Sequence, residues 1–287
     1  MSYIGTFPDL PNRDYHDAPA VGSSGLKLVL QSPLHYWAQY LDPERERTEP
    51  TPAQLLGTAW HAAIFEPAKF EAEFVQIPDG LDRRTKEGKA LWAELQASGR
   101  TPLSADDYGR VLAMRDSARR HPVTAAIFAQ AGGAAEHSLF WIDPATGAHC
   151  KIRPDFAVPP CAMFPHGLLV DGKTGEDMST AGFAKYAMNW KLALQAAFYA
   201  DGFQAVHGTS EPPAFVWLAQ EKSTPYATAY YSAASDFLEF GRRQYRRALA
   251  TWAQCMERNE WPGYSTGVQP LELPAWAAKQ ISEGVAA

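Results

Sequence analysis

Cysteine is scarce in this chain: Cys150, Cys161 and Cys255 are its three thiols, scattered and odd in number. No CxxC pair exists, so a structural zinc site is not expected, and a four-cysteine iron–sulfur cluster is excluded by count. The thiols read as buried or idle. Long apolar runs are also missing. No stretch of eighteen apolar residues occurs, so no membrane span is expected. The opening MSYIGTFPDLPNRDYHD is polar and acidic, without the basic and apolar regions of a signal peptide, and cytoplasmic location is the default expectation. Basic charge is in deficit as well, with 26 Lys and Arg against 32 Asp and Glu, a net charge of −6. That balance argues against a cationic coat for nucleic acid. It leaves room for a protein whose carboxylates hold a metal and whose basic residues are confined to one groove. No internal repeat or low-complexity block appears.

What is present is a chain of 287 residues with 46% hydrophobic residues, enough for one large domain or a core with additions. Residues 1–22 read as an irregular arm rich in Pro, Asp and Gly. Ser23 or Ser24 is placed to cap a short helix over LKLVLQ, and SPLHYWAQYL reads as a second helix with Pro33 in its first turn. AQLLGTAWHAAIF, from Ala53 to Phe65, is helical and apolar on most faces, hence buried, and ends before Pro67. Residues 79–89 read as a mobile loop or a phosphate-facing edge, with Arg83, Arg84, Lys86 and Lys89. Two helices follow, the second capped by Ser104, and Gly132-Gly133 marks a break. EHSLFWID, HCKIRPDFAV and GLLVDGKT then read as three consecutive strands, the first two forming a hairpin across Pro144–Gly147. A helix over NWKLALQAAFYADGFQAV, two strands (PAFVWLAQEK and YATAYYS) and a long closing helix capped by Ser235 complete the pattern. The fold class expected is α+β, with a central mixed sheet flanked by helices. The expected division is an arm at 1–22, one domain at 23–265 (helical part 23–130, sheet core 134–232, closing helix 235–258) and a tail at 266–287.

The chemistry gathers around the third strand. In VDGKT, Asp171 and Lys173 are two apart and so share one strand face. A carboxylate there can bind a divalent cation, and an adjacent ammonium can polarise a water or neutralise a phosphate. Gly172 between them lets its carbonyl approach the same cation. Taken alone, D-x-K is common and usually marks a solvated ion pair. Asp155, at the end of the preceding strand, changes the reading. Neighbouring strands are about 4.8 Å apart, so two carboxylates can share a metal. Without one they would repel. Pro154 beside it implies an edge or bulge that re-aims the side chain. His61 lies four residues after Gly57 on one helix face, where the glycine would let the helix approach the sheet. A lone His on such a helix is more often a satisfied core residue, but here it can add a nitrogen to the metal. One His with carboxylates suits Mg²⁺ or Mn²⁺ better than zinc. Gln195 and Tyr199, also four apart, can hydrogen-bond phosphate oxygens or the lysine.

Gly-x-x-x-His, then Asp, then Asp-x-Lys, then Gln-x-x-x-Tyr resembles the RecB-like branch of the PD-(D/E)XK nucleases. KIRPDF, LLVDGKT and LALQAAFYADGF are most similar to the RecE-type (exonuclease VIII-like) domain common in prophages, as are SSGLKLVLQSPLHYW and WPGY. The resemblance covers roughly residues 20–265. It implies a restriction-endonuclease-like core with an N-terminal helical addition, and His61, Asp155, Asp171 and the Gly172 carbonyl as metal ligands. Lys173 becomes the catalytic lysine, with Asp171 and Asp155 sharing the catalytic centre. Gln195 and Tyr199 would border DNA, Arg153 would face a phosphate or pair with an acid, and Glu136 would be a further acid. The activity implied is Mg²⁺-dependent hydrolysis of linear double-stranded DNA from the 5′ end, leaving 3′ overhangs for recombination. A ring-like homo-oligomer and a single-strand annealing protein would be partners. Lys27, Arg83, Arg84, Lys86 and Lys151 are candidates for holding DNA, with Arg242, Arg243, Arg246 and Arg247 as a second cluster whose plain reading is a solvated helix face. Trp60, Trp92 and Trp190 read as core.

Three rivals stay open: a single-strand or structure-specific nuclease of other polarity, a catalytically inactive DNA-binding module with the same fold, and a metal-dependent hydrolase of small molecules.

Overall fold

A computed structural model describes residues 3–46 and 49–282. Residues 1–2 and 283–287, the outer ends of the expected arm and tail, lie outside the described residues. In chain order the elements are β1 (Gly5–Phe7), α1 (Asn12–Asp17), α2 (Ser23–Gln31), α3 (Pro33–Tyr36) running into a π turn (Trp37–Leu41), α4 (Pro52–Phe65), α5 (Pro67–Glu73), β2 (Phe74–Gln76), α6 (Lys86–Ala97), β3 (Thr101–Leu103), α7 (Ala105–Arg120) and α8 (Pro122–Phe128). Then come β4 (Ala134–Ala135), β5 (Ser138–Ile142), β6 (His149–Ile152), β7 (Phe156–Val158), β8 (Leu168–Gly175), α9 (Thr180–Asn189), α10 (Leu192–His207), β9 (Ala214–Glu221), β10 (Thr228–Ser232), α11 (Ser235–Arg258) and α12 (Ala275–Ser282).

The main sheet has the order β10-β9-β8-β7-β4. Its β8–β9 pair is parallel and the other pairs are antiparallel, so the sheet is mixed and the fold is α+β, as expected. A parallel neighbour needs a crossover, and α9 and α10 supply it. Alternation along β8 sorts its side chains. Leu168 and Val170 face a core with Trp60, Ile64 and Phe65 of α4 and Met114 of α7. Leu169 faces the larger core built on α2, α10 and α11. The expected α4 forms because Thr51 and Gln54 make a reciprocal capping box and Pro52 occupies the first turn. Trp60 on it is fully buried and donates from Nε1 to Gln220 Oε1 at 2.6 Å. Burying such a side chain contributes about 1.5–3 kcal/mol.

Close approach of α4 to the sheet rests on Gly172 rather than on Gly57. A Cβ at Gly172 would lie 2.7 Å from Trp60 Cζ3, whereas one at Gly57 would meet nothing within 4 Å. On the other side, α11 crosses the first turn of α10 at Gly241, where a Cβ would fall 1.9 Å from the Ala193 carbonyl oxygen.

Several local expectations are corrected. The arm is not irregular: β1 pairs with β5, and α1 buries Tyr15 against Phe140. Its apolar residues were too sparse to show a period, and tertiary pairing orders them. Gly22, not Ser23 or Ser24, caps α2, and Ala234, not Ser235, caps α11; neither cap uses a side chain. The segment 79–89 already enters α6 at Lys86, because Thr85 accepts from Gly88 N. HCKIRPDFAV is two strands rather than one. Pro154 has no N–H for a ladder, and there the chain leaves the β1-β5-β6 sheet and joins the main one. The helix expected over NWKLALQAAFYADGFQAV begins only at Leu192, behind the separate helix α9. The tail carries α12 after an unstructured run.

Candidate active site

The strand β8 outruns β7: the register pairs Phe156 with Val170, and β8 continues to Gly175 with β9 alone. The polar cluster fills the step. Asp155, at the elbow made by Pro154, turns its carboxylate back onto β8, and Oδ2 accepts from Gly172 N at 2.6 Å. His61 reaches the same oxygen from α4, with Nδ1 at 3.2 Å. Asp171 is 2% exposed; its Oδ1 accepts from Gln195 Nε2 of α10 at 2.7 Å. The Lys173 ammonium lies against Asp171 Oδ2 and donates to the Gly172 carbonyl at 3.2 Å. Among the described residues Lys173 is thus the one partner of Oδ2, a direct ion pair whose approach lies outside regular hydrogen-bond geometry.

The electrostatics follow from burial working against each charge. Burial would lower the His61 imidazole, but the Asp155 carboxylate outweighs it and His61 is raised. Burial pushes Asp155 up, and His61 with Lys173 brings it below its ordinary range. Asp171 is raised, because burial exceeds the pull of Lys173. Lys173 is raised too, the two carboxylates overcoming burial. Two buried acids are thus balanced by two cationic groups of the protein itself.

The donor set fits a hard divalent cation: the Asp155 and Asp171 carboxylates, the Gly172 backbone carbonyl and one imidazole. Among the described residues no three His, Cys, Asp or Glu side chains form a closed cage. A cation would therefore take its ligands from Asp155, Asp171 and the Gly172 carbonyl as His61 and Lys173 give way, with His61 free to rotate onto it.

Lys27 of α2 belongs to this cluster, although sequence reasoning ranked it only among general basic residues. Its Nζ donates to Gln195 Oε1 at 3.2 Å, and burial, with Lys173 nearby, pulls it down to about 8. Tyr186 of α9, also missed, has its phenol raised by burial and feels the charges of Lys173 and Asp171. No spacing rule could have found either. Both come from helices whose packing on the sheet brings them in.

The remaining predicted residues are placed less centrally. Tyr199 is one turn beyond Gln195 and buried, its hydroxyl 3.5 Å from the Arg153 carbonyl. Arg153 pins the arm: it donates to Ser138 Oγ at 2.9 Å and Leu10 O at 2.8 Å and stacks on Tyr15. Glu136, in left-handed conformation at φ 55°, is pushed up to about 7 by burial and by Asp155 and Glu66. Glu136, Asp155 and Tyr199 line a cleft of about 520 Å³ that runs along Ser23 and Tyr36. Lys151 is caged by the carbonyls of Tyr15, His16 and Ala18 and cannot face DNA. Arg242 and Arg246 are held by Asp201 and Asp143, so half of the expected arginine cluster is structural. Arg84 is forked onto Asp82, and Arg83 stacks on Trp92. Trp60 is core, whereas Trp190 is 61% exposed, against expectation.

No helix of the described residues is long and apolar enough to cross a membrane. No curated protein matches the chain closely enough to count. The crystal structure of an exonuclease candidate from Eubacterium rectale superposes with a TM-score of 0.60, over 97% of this chain and 100% of that one, at 13% identity, a likeness of fold alone. The crystal structure of SSO0001 gives a TM-score of 0.29 at 11% identity over 67% of this chain and 84% of that one, too little to argue from. A family model described as a PDDEXK-like domain of unknown function matches residues 22–273. That span runs from the cap of α2 past the end of α11 and holds the whole Asp155–Asp171–Lys173 cluster, so the chain belongs to the family of PDDEXK-like domains of unknown function.

Proposed function

We propose that the chain is a metal-dependent deoxyribonuclease of RecE type, acting on linear duplex DNA from the 5′ end. The observation that carries the hydrolytic reading is the buried Asp171, held by Gln195 on one oxygen and facing Lys173 with the other, beside Asp155. Its 5′→3′ polarity, ring-like assembly and annealing partner are supported by the motif resemblance alone.

Asp155, Asp171 and the Gly172 carbonyl would hold Mg²⁺, or Mn²⁺ in its place, with His61 at their edge. The cation, when bound, neutralises phosphate charge and makes a water more acidic. Gln195 keeps Asp171 from rotating away. Lys173 gives up its carboxylate and directs its ammonium at the water or a non-bridging phosphate oxygen. The water oxygen attacks phosphorus, the P–O3′ bond breaks, and the 3′ oxygen takes up a proton, so the released nucleotide carries a 3′ hydroxyl and the remaining strand a new 5′ phosphate.

The test is digestion of linear duplex DNA labelled separately at its 5′ and 3′ ends, with Mg²⁺, with EDTA and with Asp171→Ala. Release of 5′ label that requires Mg²⁺ and Asp171 is expected. Release of 3′ label first would reverse the polarity, and intact duplex with Mg²⁺ and Mn²⁺ would end the exonuclease reading.

A further inference from the structure

One flank of the reaction centre is acidic, with Glu136 and Glu66 beside Asp155. The opposite flank is not. There α9 ends at Trp190, and Lys191, in left-handed conformation at φ 51°, turns the chain sharply into α10. The inner face of α9 is buried through Phe183 and Ala187. Its end leaves Met188 53% and Trp190 61% exposed. Trp190 is the tryptophan that stands out as exposed among the described residues. Its ring is placed by Tyr186, 6.0 Å away between centroids and tilted by 39°, and Tyr186 in turn lies within the field of Lys173 and Asp171. The indole therefore sits one ring away from the reacting groups.

Two cations share this corner. The Lys191 carbonyl accepts from Gln195 N at 3.4 Å, and Gln195 holds both Asp171 and the Lys27 ammonium. The Lys27 ammonium feels the charge of Lys191. Among the described residues neither has a carboxylate within ion-pair distance, unlike Lys69 with Glu66 or Lys173 with Asp171. A half-buried ammonium with only an amide partner is short of an anion. An exposed indole immediately before Lys191 completes the combination that binds single strands, cations on the backbone and an aromatic ring on the base. Within a duplex both faces of a base are covered, so the ring can take only a base that is unpaired or terminal.

We propose that the corner between α9 and α10 is a nucleotide subsite next to the reaction centre, where Lys27 and Lys191 hold a phosphate and Trp190 stacks on an unpaired base. This rests on the nuclease reading and adds to it that the strand is handled unpaired at the point of cleavage.

The test uses the full chain with Ca²⁺ in place of Mg²⁺, and oligonucleotides, single-stranded or with short unpaired ends, carrying 2-aminopurine at successive positions. Quenching at one position, lost in Trp190→Ala, is expected, together with about tenfold weaker binding. An abasic site at that position should weaken wild type equally and leave Trp190→Ala with nothing more to lose. Lys27→Met and Lys191→Met should each lower the salt dependence of single-strand binding by about 0.7 in log–log slope. Equal loss on normal and abasic strands overturns the stacking. A Trp190→Ala variant that binds normally but changes its sedimentation overturns the subsite and marks the ring as a contact between protein copies. Turnover with Mg²⁺ on the same preparations separates the two ideas. Wild type that cuts while Trp190→Ala matches it throughout sinks the subsite alone. Wild type that quenches without cutting sinks the nuclease reading alone, and wild type that binds no DNA sinks both.

Discussion

Helix α10 carries a buried charge cluster near each end, and the two are built differently. Near its start, Gln195 supports Asp171, whose second oxygen lacks a regular hydrogen bond although Lys173 lies against it. Two turns on, Asp201 has both oxygens occupied: Arg242 donates from Nε at 2.9 Å and Nη2 at 2.8 Å, and the Tyr245 hydroxyl takes Oδ2 as well. Asp143 nearby is as well provided, by Arg246, the Thr146 amide and the Thr146 hydroxyl. The Arg242 fork ties α11 to α10, and the Arg246 contact ties α11 to the β5–β6 turn. The ammonium and imidazole around Asp171 and Asp155 instead each meet a single carboxylate oxygen, a one-point contact in place of a fork. A forked contact ties two elements together; a one-point contact is the kind a cation can displace.

The sharpest way to break this contrast is to remove one acid from each end. Asp171→Ala should reduce DNA hydrolysis by roughly a hundred- to a thousandfold with a smaller loss of melting temperature than Asp201→Ala, because burial disfavours the Asp171 charge and Asp155 still faces Lys173. Asp201→Ala should do the reverse. It strands Arg242 and Tyr245, and because Arg242 is partly solvated the cost should be about 2–3 kcal/mol, less than for a fully buried pair. That lowers the melting temperature by roughly 5 °C or more, while kcat per folded molecule stays near wild type. Equal effects of the two substitutions on stability would erase the distinction. Gln195→Ala comes next: loss of the side chain that orients a ligand is expected to reduce activity about 10- to 100-fold, measured on the same duplex.

Cation binding gives a comparison that needs no turnover. Mg²⁺ or Ca²⁺ at about a hundred times its dissociation constant should stabilise wild type by about 2.7 kcal/mol, read by calorimetry. The gain should vanish in Asp155→Ala and persist in Asp201→Ala. The smallest effect is expected on the outer face of α11. Arg243 is 80% exposed and, among the described residues, its ion pair is with Glu239, so Arg243→Ala should move stability by less than about 0.5 kcal/mol and leave hydrolysis unchanged.

The parts of the site legible in the sequence are those set by period and order. Alternation along a strand put Asp171 and Lys173 together, and the strand ladder brought Asp155 beside them. The buried α4 was readable from its apolar faces. What escaped depends on packing between distant segments. Lys27 enters because α2 leans on α10, 168 residues away in the chain. Lys151 looked like a free cation until the carbonyls of α1 closed over it. The split of HCKIRPDFAV was half visible: Pro154 announced a disturbance, but only the sheet order shows the chain changing sheets there. Helix α9 escaped although Ala181, Phe183, Ala184, Tyr186, Ala187 and Met188 make it apolar, and with it went Tyr186 and the exposed Trp190.

Gly172 has a further consequence for how relatives of this chain can vary. The indole of Trp60 rests where any side chain at 172 would have to go, and Trp60 is itself tethered to Gln220, which donates to the Met114 carbonyl at 2.8 Å. Positions 60 and 172 should therefore drift together through evolution. A bulkier residue between the acid and the lysine needs room at 60 and also at 65, where Phe65 Cε2 would lie 2.9 Å from the same Cβ, and lineages that keep the tryptophan are bound to glycine. The middle letter of D-x-K, which the chemistry leaves open, is written in this chain by a helix on the far side of the sheet.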